Sequence, residues 1–239
     1  MAYPVFASDS GSLSTSLGGN TLNVAYPATV NADEVLYMLV GHKETGAWNE
    51  PSGWNQIYTG SDGGIEGSFY WKRAAGTESG NQAVTCGGSP TGVLWGCMYR
   101  FTGVITTGTP HDSLALEYGG STNVDIAEVE SRGSKRLCAN FALIRNSNNS
   151  NDDAANYSSA SEYLTGVGSD AAIHLFTYQQ AGSDDVPADV YTLSTGRNFQ
   201  CHVVTIRAPF ADDVNGVSNA NIGKINGVAK ASAAIVAGS

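Results

Sequence analysis

The sequence predicts an all-β protein, a β-sandwich with a jelly-roll-like single domain followed by an extended C-terminal arm. Most apolar stretches alternate with a period of two, while the 3.6-residue period of an amphipathic helix is almost absent. Gly- and Asn-rich segments separate these stretches, and 29 of the 239 residues are glycine. Hydrophobic residues make up 41% of the chain, enough for a packed core, so a wholly disordered chain is excluded.

Thirteen short strands are predicted in residues 1–212, which we assign to the sandwich domain. In chain order they are Thr21–Tyr26, Glu34–Gly41, Trp54–Thr59, Ile65–Arg73, Ala83–Cys86, Val93–Thr102, Leu114–Tyr118, Asn123–Glu130, Lys135–Arg145, Ser161–Thr165, Ala171–Gln180, Asp189–Leu193 and Phe199–Ala208. No helical pattern separates them, which favours a sandwich or jelly roll. The polar segment 146–160 is predicted to be an exposed loop.

Alternation also predicts which faces are buried. The odd-numbered residues from Val93 to Phe101 share one apolar face, and Leu137, Phe141 and Leu143 point away from Arg136. The segment 34–41 is apolar on both faces. A strand of this kind is expected at the centre of a sheet, covered on both sides by another layer or another subunit.

The order of predicted strands repeats weakly along the chain. The same order of elements occurs over 34–102 and again over 135–208. It consists of a strand, a long polar loop, a second strand, a glycine-containing segment and three further strands. Two interleaved strand sets of one sandwich would produce this echo. Coincidence among short strands would produce it equally well.

The four cysteines are widely spaced and form neither a CxxC motif nor a Cys/His cluster, so a metal site has little support. We expect four buried, reduced thiols, with one disulfide as the alternative. They are Cys86, Cys97, Cys138 and Cys201.

Catalytic motifs are also missing from the sequence. The four histidines are far apart, there is no GxSxG elbow, and no nucleotide-binding or EF-hand motif occurs. His111-Asp112 is interpreted as a turn at a strand entrance. The loop pairs Asp152-Asp153, Asp184-Asp185 and Asp212-Asp213 could serve a glycosidase or a calcium ion, but solvated loops are far commoner. We therefore expect no catalytic site and no cofactor.

Trp48 and Trp54 bracket a short polar segment that contains Asn49 and Glu50. Tryptophan beside such residues can stack on a sugar ring, so the pair is a candidate glycan contact. A core position at one end of the sandwich is the stronger alternative.

The composition changes after Pro209, and residues 213–239 are predicted to form an extended arm. Residues 214–239 hold two lysines and no acidic residue, whereas the whole chain carries a net charge of −10. Asn-Gly between aliphatic residues recurs there, a tight-turn signal. The anchors expected to contact a partner are Val214, Val217, Ile222, Ile225, Val228 and Ile235.

Several fragments in one order suggest a family. Pro51-Ser52-Gly53-Trp54 is followed by a segment GSFYWKRA at 67–74, then by MYRFTGV at 98–104 and Pro110-His111-Asp112. This succession resembles a β-sandwich domain of bacteriophage structural proteins and some bacterial surface proteins, mainly over 34–112. The tail resembles the short K-[IV]-N-G-V repeats that end many phage virion proteins. The resemblance implies a place in the virion and carries no catalytic residue.

The expected function is therefore that of a non-enzymatic virion structural protein, either a capsid decoration (cement) protein or a tail or fibre component. Its expected partners are other copies of itself, with a trimer as one option, and other virion proteins. The alternative is a carbohydrate-binding adhesin module that contacts a host glycan. The acidic balance argues against direct nucleic-acid binding. No 18-residue apolar run and no signal peptide is visible, so synthesis in the host cytoplasm without membrane insertion is expected.

Overall fold

The computed structural model describes residues 3–43, 46–62, 64–129, 135–145, 155–164, 171–181, 185–186, 188–209, 224–225 and 228–229. As predicted, the protein is all-β. The strands are β1 Val5–Asp9, β2 Ser14–Leu17, β3 Thr21–Ala25, β4 Ala32–His42, β5 Asn55–Asp62, β6 Ile65–Ala75, β7 Asn81–Thr85, β8 Val93–Thr102, β9 His111–Ile126, β10 Arg136–Arg145, β11 Ser158–Leu164, β12 Ala171–Gln180, β13 Asp189–Arg207, β14 Lys224–Ile225 and β15 Val228–Ala229. None of the described residues forms a helix long and apolar enough to cross a membrane.

Two large antiparallel sheets pack face to face, which confirms the sandwich. The first sheet has the strand order β1-β8-β4-β6-β5, and β2 also pairs with β8. The second sheet has the order β9-β13-β10-β12-β11. Their facing side chains form one core, in which Phe69 and Tyr99 of the first sheet meet Phe141 of the second. Burial of these rings is a major source of stability, because each large apolar side chain removed from water contributes about 1.5–3 kcal/mol.

A two-stranded ribbon covers the outer face of each sheet. In the first half of the chain β3 pairs with β7, and Leu22 and Val84 pack on Met38 of β4. In the second half the ribbon is formed by the end of β9 and the start of β13, where Asn123–Ile126 pair with Asp189–Thr192. Its Tyr191 ring lies 4.3 Å from the ring of Phe176 on β12. The layers therefore run ribbon, sheet, sheet, ribbon.

The prediction for 34–41 is confirmed by this layering. β4 lies at the centre of the first sheet, between β8 and β6. Its residues Tyr37 and Leu39 face the second sheet, whereas Leu36 and Met38 face the ribbon. All four are fully buried. Another layer of the same chain, rather than another subunit, covers both faces.

The echo along the sequence is a true repeat of topology, but its two sets of strands are not interleaved. Residues 5–102 build the whole first sheet and residues 111–207 the whole second sheet, and both follow one connection order. The pairing register repeats as well. Tyr37 pairs with Trp71 in the first sheet, and Phe141 pairs with Leu175, each 104 residues further along the chain, in the second.

The two halves are related by a pseudo-two-fold axis. β13 packs over β6, and the equivalent strands β12 and β8 pack over each other. Near such an axis a residue contacts its own equivalent. Tyr37 and its equivalent Phe141 meet this expectation, with ring centroids 5.5 Å apart. The sheets approach each other closely where Gly41 pairs with Gly67, since a Cβ at Gly67 would lie 2.9 Å from Leu143.

Three details differ from the sequence prediction. β1 and β2 were not predicted, because their segment is short, polar and at the sheet edge. β9 and β13 are each one long strand rather than two, since the Gly- and Ser-rich segments 119–122 and 194–198 are bends within strands instead of turns. The end of the predicted loop 146–160, from Ser158 onward, belongs to β11, and 146–154 lie outside the described residues.

Candidate functional site

The two candidate glycan tryptophans are core residues. Trp48 and Trp54 are each only 3% exposed and pack beneath the first ribbon. The Trp48 indole donates a hydrogen bond to the Glu66 carbonyl at 3.1 Å, and the Trp54 indole donates to the Gln82 side-chain oxygen at 3.0 Å. Neither ring has an exposed face on which a sugar could stack. Both tryptophans are therefore core residues, and the hypothesis that they contact a glycan is wrong.

Most of the arm anchors lie outside the described residues, namely Val214, Val217, Ile222 and Ile235. The other two lie on β14 and β15, where Ile225 pairs with Val228 across Asn226-Gly227. This short antiparallel pair agrees with the tight-turn signal of Asn-Gly. The role of the arm in assembly stays a prediction.

The four cysteines are all free and buried, as predicted. Burial raises the pKa of the Cys97 thiol to about 11 and that of Cys138 to about 12, and it also raises the pKa of Cys201. A thiolate is the reactive form of cysteine, so these groups are packed as small apolar side chains rather than poised as nucleophiles.

The histidines are used in packing at separate places. His202 is fully buried between the rings of Tyr58 and Phe69, at centroid distances of 4.8 and 5.3 Å, and burial lowers its pKa to about 3. His174 lies under the second ribbon, with Nε2 3.2 Å from the carboxylate of Glu162. Among the described residues, no three His, Cys, Asp or Glu side chains are grouped so that they could hold a metal ion.

His111 and Asp112 stand at a strand entrance as predicted, but they are the first two residues of β9 rather than a turn, and each side chain joins separate elements. His111 Nδ1 lies 3.1 Å from the Tyr37 hydroxyl, and burial lowers the His111 pKa to about 4. Asp112 accepts a 2.7 Å hydrogen bond from Arg136 Nε and lies 3.1 Å from Arg207 Nε. Sequence spacing could not have identified this group of ion pairs, because its members come from β9, β10 and β13.

Of the three loop acid pairs, only Asp185 lies within the described residues.

Free edges of the two sheets carry four of the five large apolar side chains that are exposed in the described region, and the fifth, Val190, lies on the second ribbon. Val5 on β1 is 45% exposed and Leu17 on β2 is 72% exposed. On β9, the equivalent edge of the second sheet, Leu114 is 43% and Tyr118 58% exposed. Open strand edges offer unpaired backbone groups to another chain, and apolar side chains on them add buried area on contact. We define these two strips as the β1/β2 edge and the β9 edge.

Comparison of the chain with protein-family models, curated proteins and solved structures finds no match.

Proposed function

We propose that the protein is a non-enzymatic structural component of a bacteriophage virion. It acts on the particle as a capsid decoration protein or as part of a tail or fibre, and it assembles through contacts between subunits. The observation that carries the assembly role is the pair of open edges with exposed apolar side chains. The phage assignment is supported by the sequence resemblance over 34–112 and in the tail.

The edges suit assembly because they are equivalent in the two halves. A neighbouring subunit that adds a strand to the β9 edge extends the second sheet, and one that adds a strand to the β1/β2 edge extends the first. Leu17 and Tyr118 supply the apolar contacts at these positions. Residues 214–239 carry a net charge of +2 and the whole chain carries −10, so residues 1–213 carry −12. Opposite charges therefore attract the arm to residues 1–213 of a neighbouring subunit.

The assembly role is tested by sedimentation velocity on three variants and the full chain. Deletion of 213–239 and the double substitution Leu17→Ser/Tyr118→Ser should each leave a folded protein that assembles less. Val190→Ser, which removes an exposed aliphatic side chain from the second ribbon, is the matched control and should assemble normally. Unchanged assembly of both test variants would contradict the role of the arm and the edges.

The place in the virion needs a separate experiment. Peptide mass spectrometry of purified particles from the producing host should detect the chain at a stoichiometry set by particle symmetry, and cryo-electron microscopy should locate it. A chain that is expressed in the host and absent from every particle would overturn the virion proposal.

A further inference from the structure

An open cavity lies beside the start of β1, the start of β11 and the end of β12. Its volume is about 370 Å³. Val5, Phe6 and Leu137 supply its apolar surface, and its polar lining includes Ser158, Thr177 and Gln179. This volume falls within the range of about 300–1,000 Å³ that is usual for small-molecule sites.

The pseudo-two-fold axis shows how the cavity arises. Thr177 pairs with Ala139 on β10, and its equivalent Arg73 pairs with Val35 on β4. In the first half the Arg73 guanidinium donates to the carbonyls of Asp33 and Gly108, at 3.2 and 3.3 Å, and so bridges the two sides of the equivalent position.

At a neighbouring pair of equivalent positions, the side chain of the first half is again the larger one. Trp71 packs edge-on against His111, with ring centroids 6.1 Å apart. The equivalent of Trp71 in the second half is the smaller Leu175. The two halves share one topology, but Arg73 and Trp71 make contacts across the junction in the first half, whereas their equivalents Thr177 and Leu175 have shorter side chains, and Thr177 lines the cavity.

The polar side chains that line the cavity are neutral, and Asn156 and Tyr178 complete the lining. Within the described residues, the side chains of Ser158, Thr177 and Gln179 form no hydrogen bond with another protein group. Among the described residues, none that lines the cavity is Asp, Glu, Lys, Arg or His, although the protein as a whole is strongly acidic. The lining therefore offers no charge to pair with an ionic ligand.

Hydroxyl and amide groups both donate and accept hydrogen bonds, as the hydroxyls of a sugar do. The apolar surface formed by Val5, Phe6 and Leu137 suits the C–H face of the same ring. From this combination we infer that the cavity is a binding site for a neutral saccharide, of the size of a mono- or disaccharide. This site is separate from Trp48 and Trp54, and it does not depend on the proposed virion role.

The test is a titration of the full-length protein with the methyl glycosides of glucose, galactose, mannose and N-acetylglucosamine, followed by saturation-transfer NMR and calorimetry. At least one glycoside should bind saturably. Thr177→Val should weaken that binding by about two- to tenfold, the effect of one hydrogen bond. Thr177→Arg, which copies the residue of the first half, should fill the cavity and abolish binding.

Thr122→Arg is the matched control, because Thr122 is an exposed β9 threonine that does not line the cavity. It should bind like the unchanged protein, and thermal unfolding verifies that each variant is folded. If Thr177→Arg does not fold, Thr177→Val and Gln179→Leu decide the question. Absence of saturable binding to every glycoside overturns the inference, as does binding that these cavity substitutions leave unchanged. Either result leaves the sedimentation test of assembly unaffected.

Discussion

Phe141 lies at the centre of the contact between the two sheets, and its removal should destabilise both halves together. Its ring centroid is 4.8 Å from that of Phe69, 5.3 Å from Tyr99 and 5.5 Å from Tyr37. Substitution of a buried phenylalanine by alanine typically costs about 3–5 kcal/mol, since transfer free energy is lost and a cavity remains. The aromatic neighbours place Phe141→Ala toward the upper end, at roughly 4–5 kcal/mol.

Urea unfolding followed by tryptophan fluorescence and by circular dichroism measures this loss. Both probes should report one transition, displaced to lower urea by the same amount, because the two sheets share one core. Tyr118→Ala is the control, since Tyr118 is 58% exposed and a surface substitution typically changes stability by less than about 0.5 kcal/mol. The reasoning is refuted if Phe141→Ala costs less than about 2 kcal/mol. It is also refuted if one probe shows a transition that stays in place while the other moves, because the halves would then unfold independently.

Three further outcomes follow from the buried polar and titratable groups. The unfolded chain protonates His202 near pH 6.5 while the folded chain resists protonation until about pH 3, so unfolding free energy should fall on acidification between these values, by up to about 1.4 kcal/mol per pH unit. His202→Phe should make this dependence shallower in urea titrations at several pH values, with His111 contributing part of the remaining slope, and an unchanged slope would contradict the assignment. Asp112→Asn should cost roughly 3 kcal/mol in the same assay, because it removes the carboxylate that pairs with the buried Arg136 guanidinium and with Arg207; a loss below about 1 kcal/mol would show that these ion pairs are not needed. Cys97 and Cys138 should react with a thiol reagent only at the rate of unfolding, and fast labelling of the native protein would contradict their burial.

Strand positions could be predicted where burial imposes a pattern. Val93–Thr102 and Ala171–Gln180 have the predicted bounds, because both strands are central and mostly buried. The edge strands β1 and β2 lack that pattern, since one side of each faces solvent. Glycine and serine in 119–122 indicated a turn, yet pairing with β13 keeps this segment in a strand. At this segment, strand pairing in the folded protein overrides the local preference of glycine and serine for turns.

The polar clusters could not be predicted, because they depend on which strands are neighbours. Asp112 and Arg136 are separated by 23 residues, and Arg207 lies on a third strand. The sequence did contain a signal for the core position of Trp54, since it follows Gly53 and begins the predicted strand 54–59. Its hydrogen bond to Gln82 depends on the ribbon that covers the first sheet, which no local pattern predicts.

The pseudo-symmetric halves explain why one chain can carry different surfaces on one scaffold. In a symmetric dimer every substitution appears at two places, so a site cannot be opened on one side and closed on the other. Here the two halves are joined in one chain and differ position by position. Arg73 forms hydrogen bonds across one junction while Thr177 lines the cavity at the equivalent junction, and the core pair Tyr37 and Phe141 still packs across the axis. Substitution at the cavity can therefore change what the second half binds without disturbing the contact that holds the sheets together.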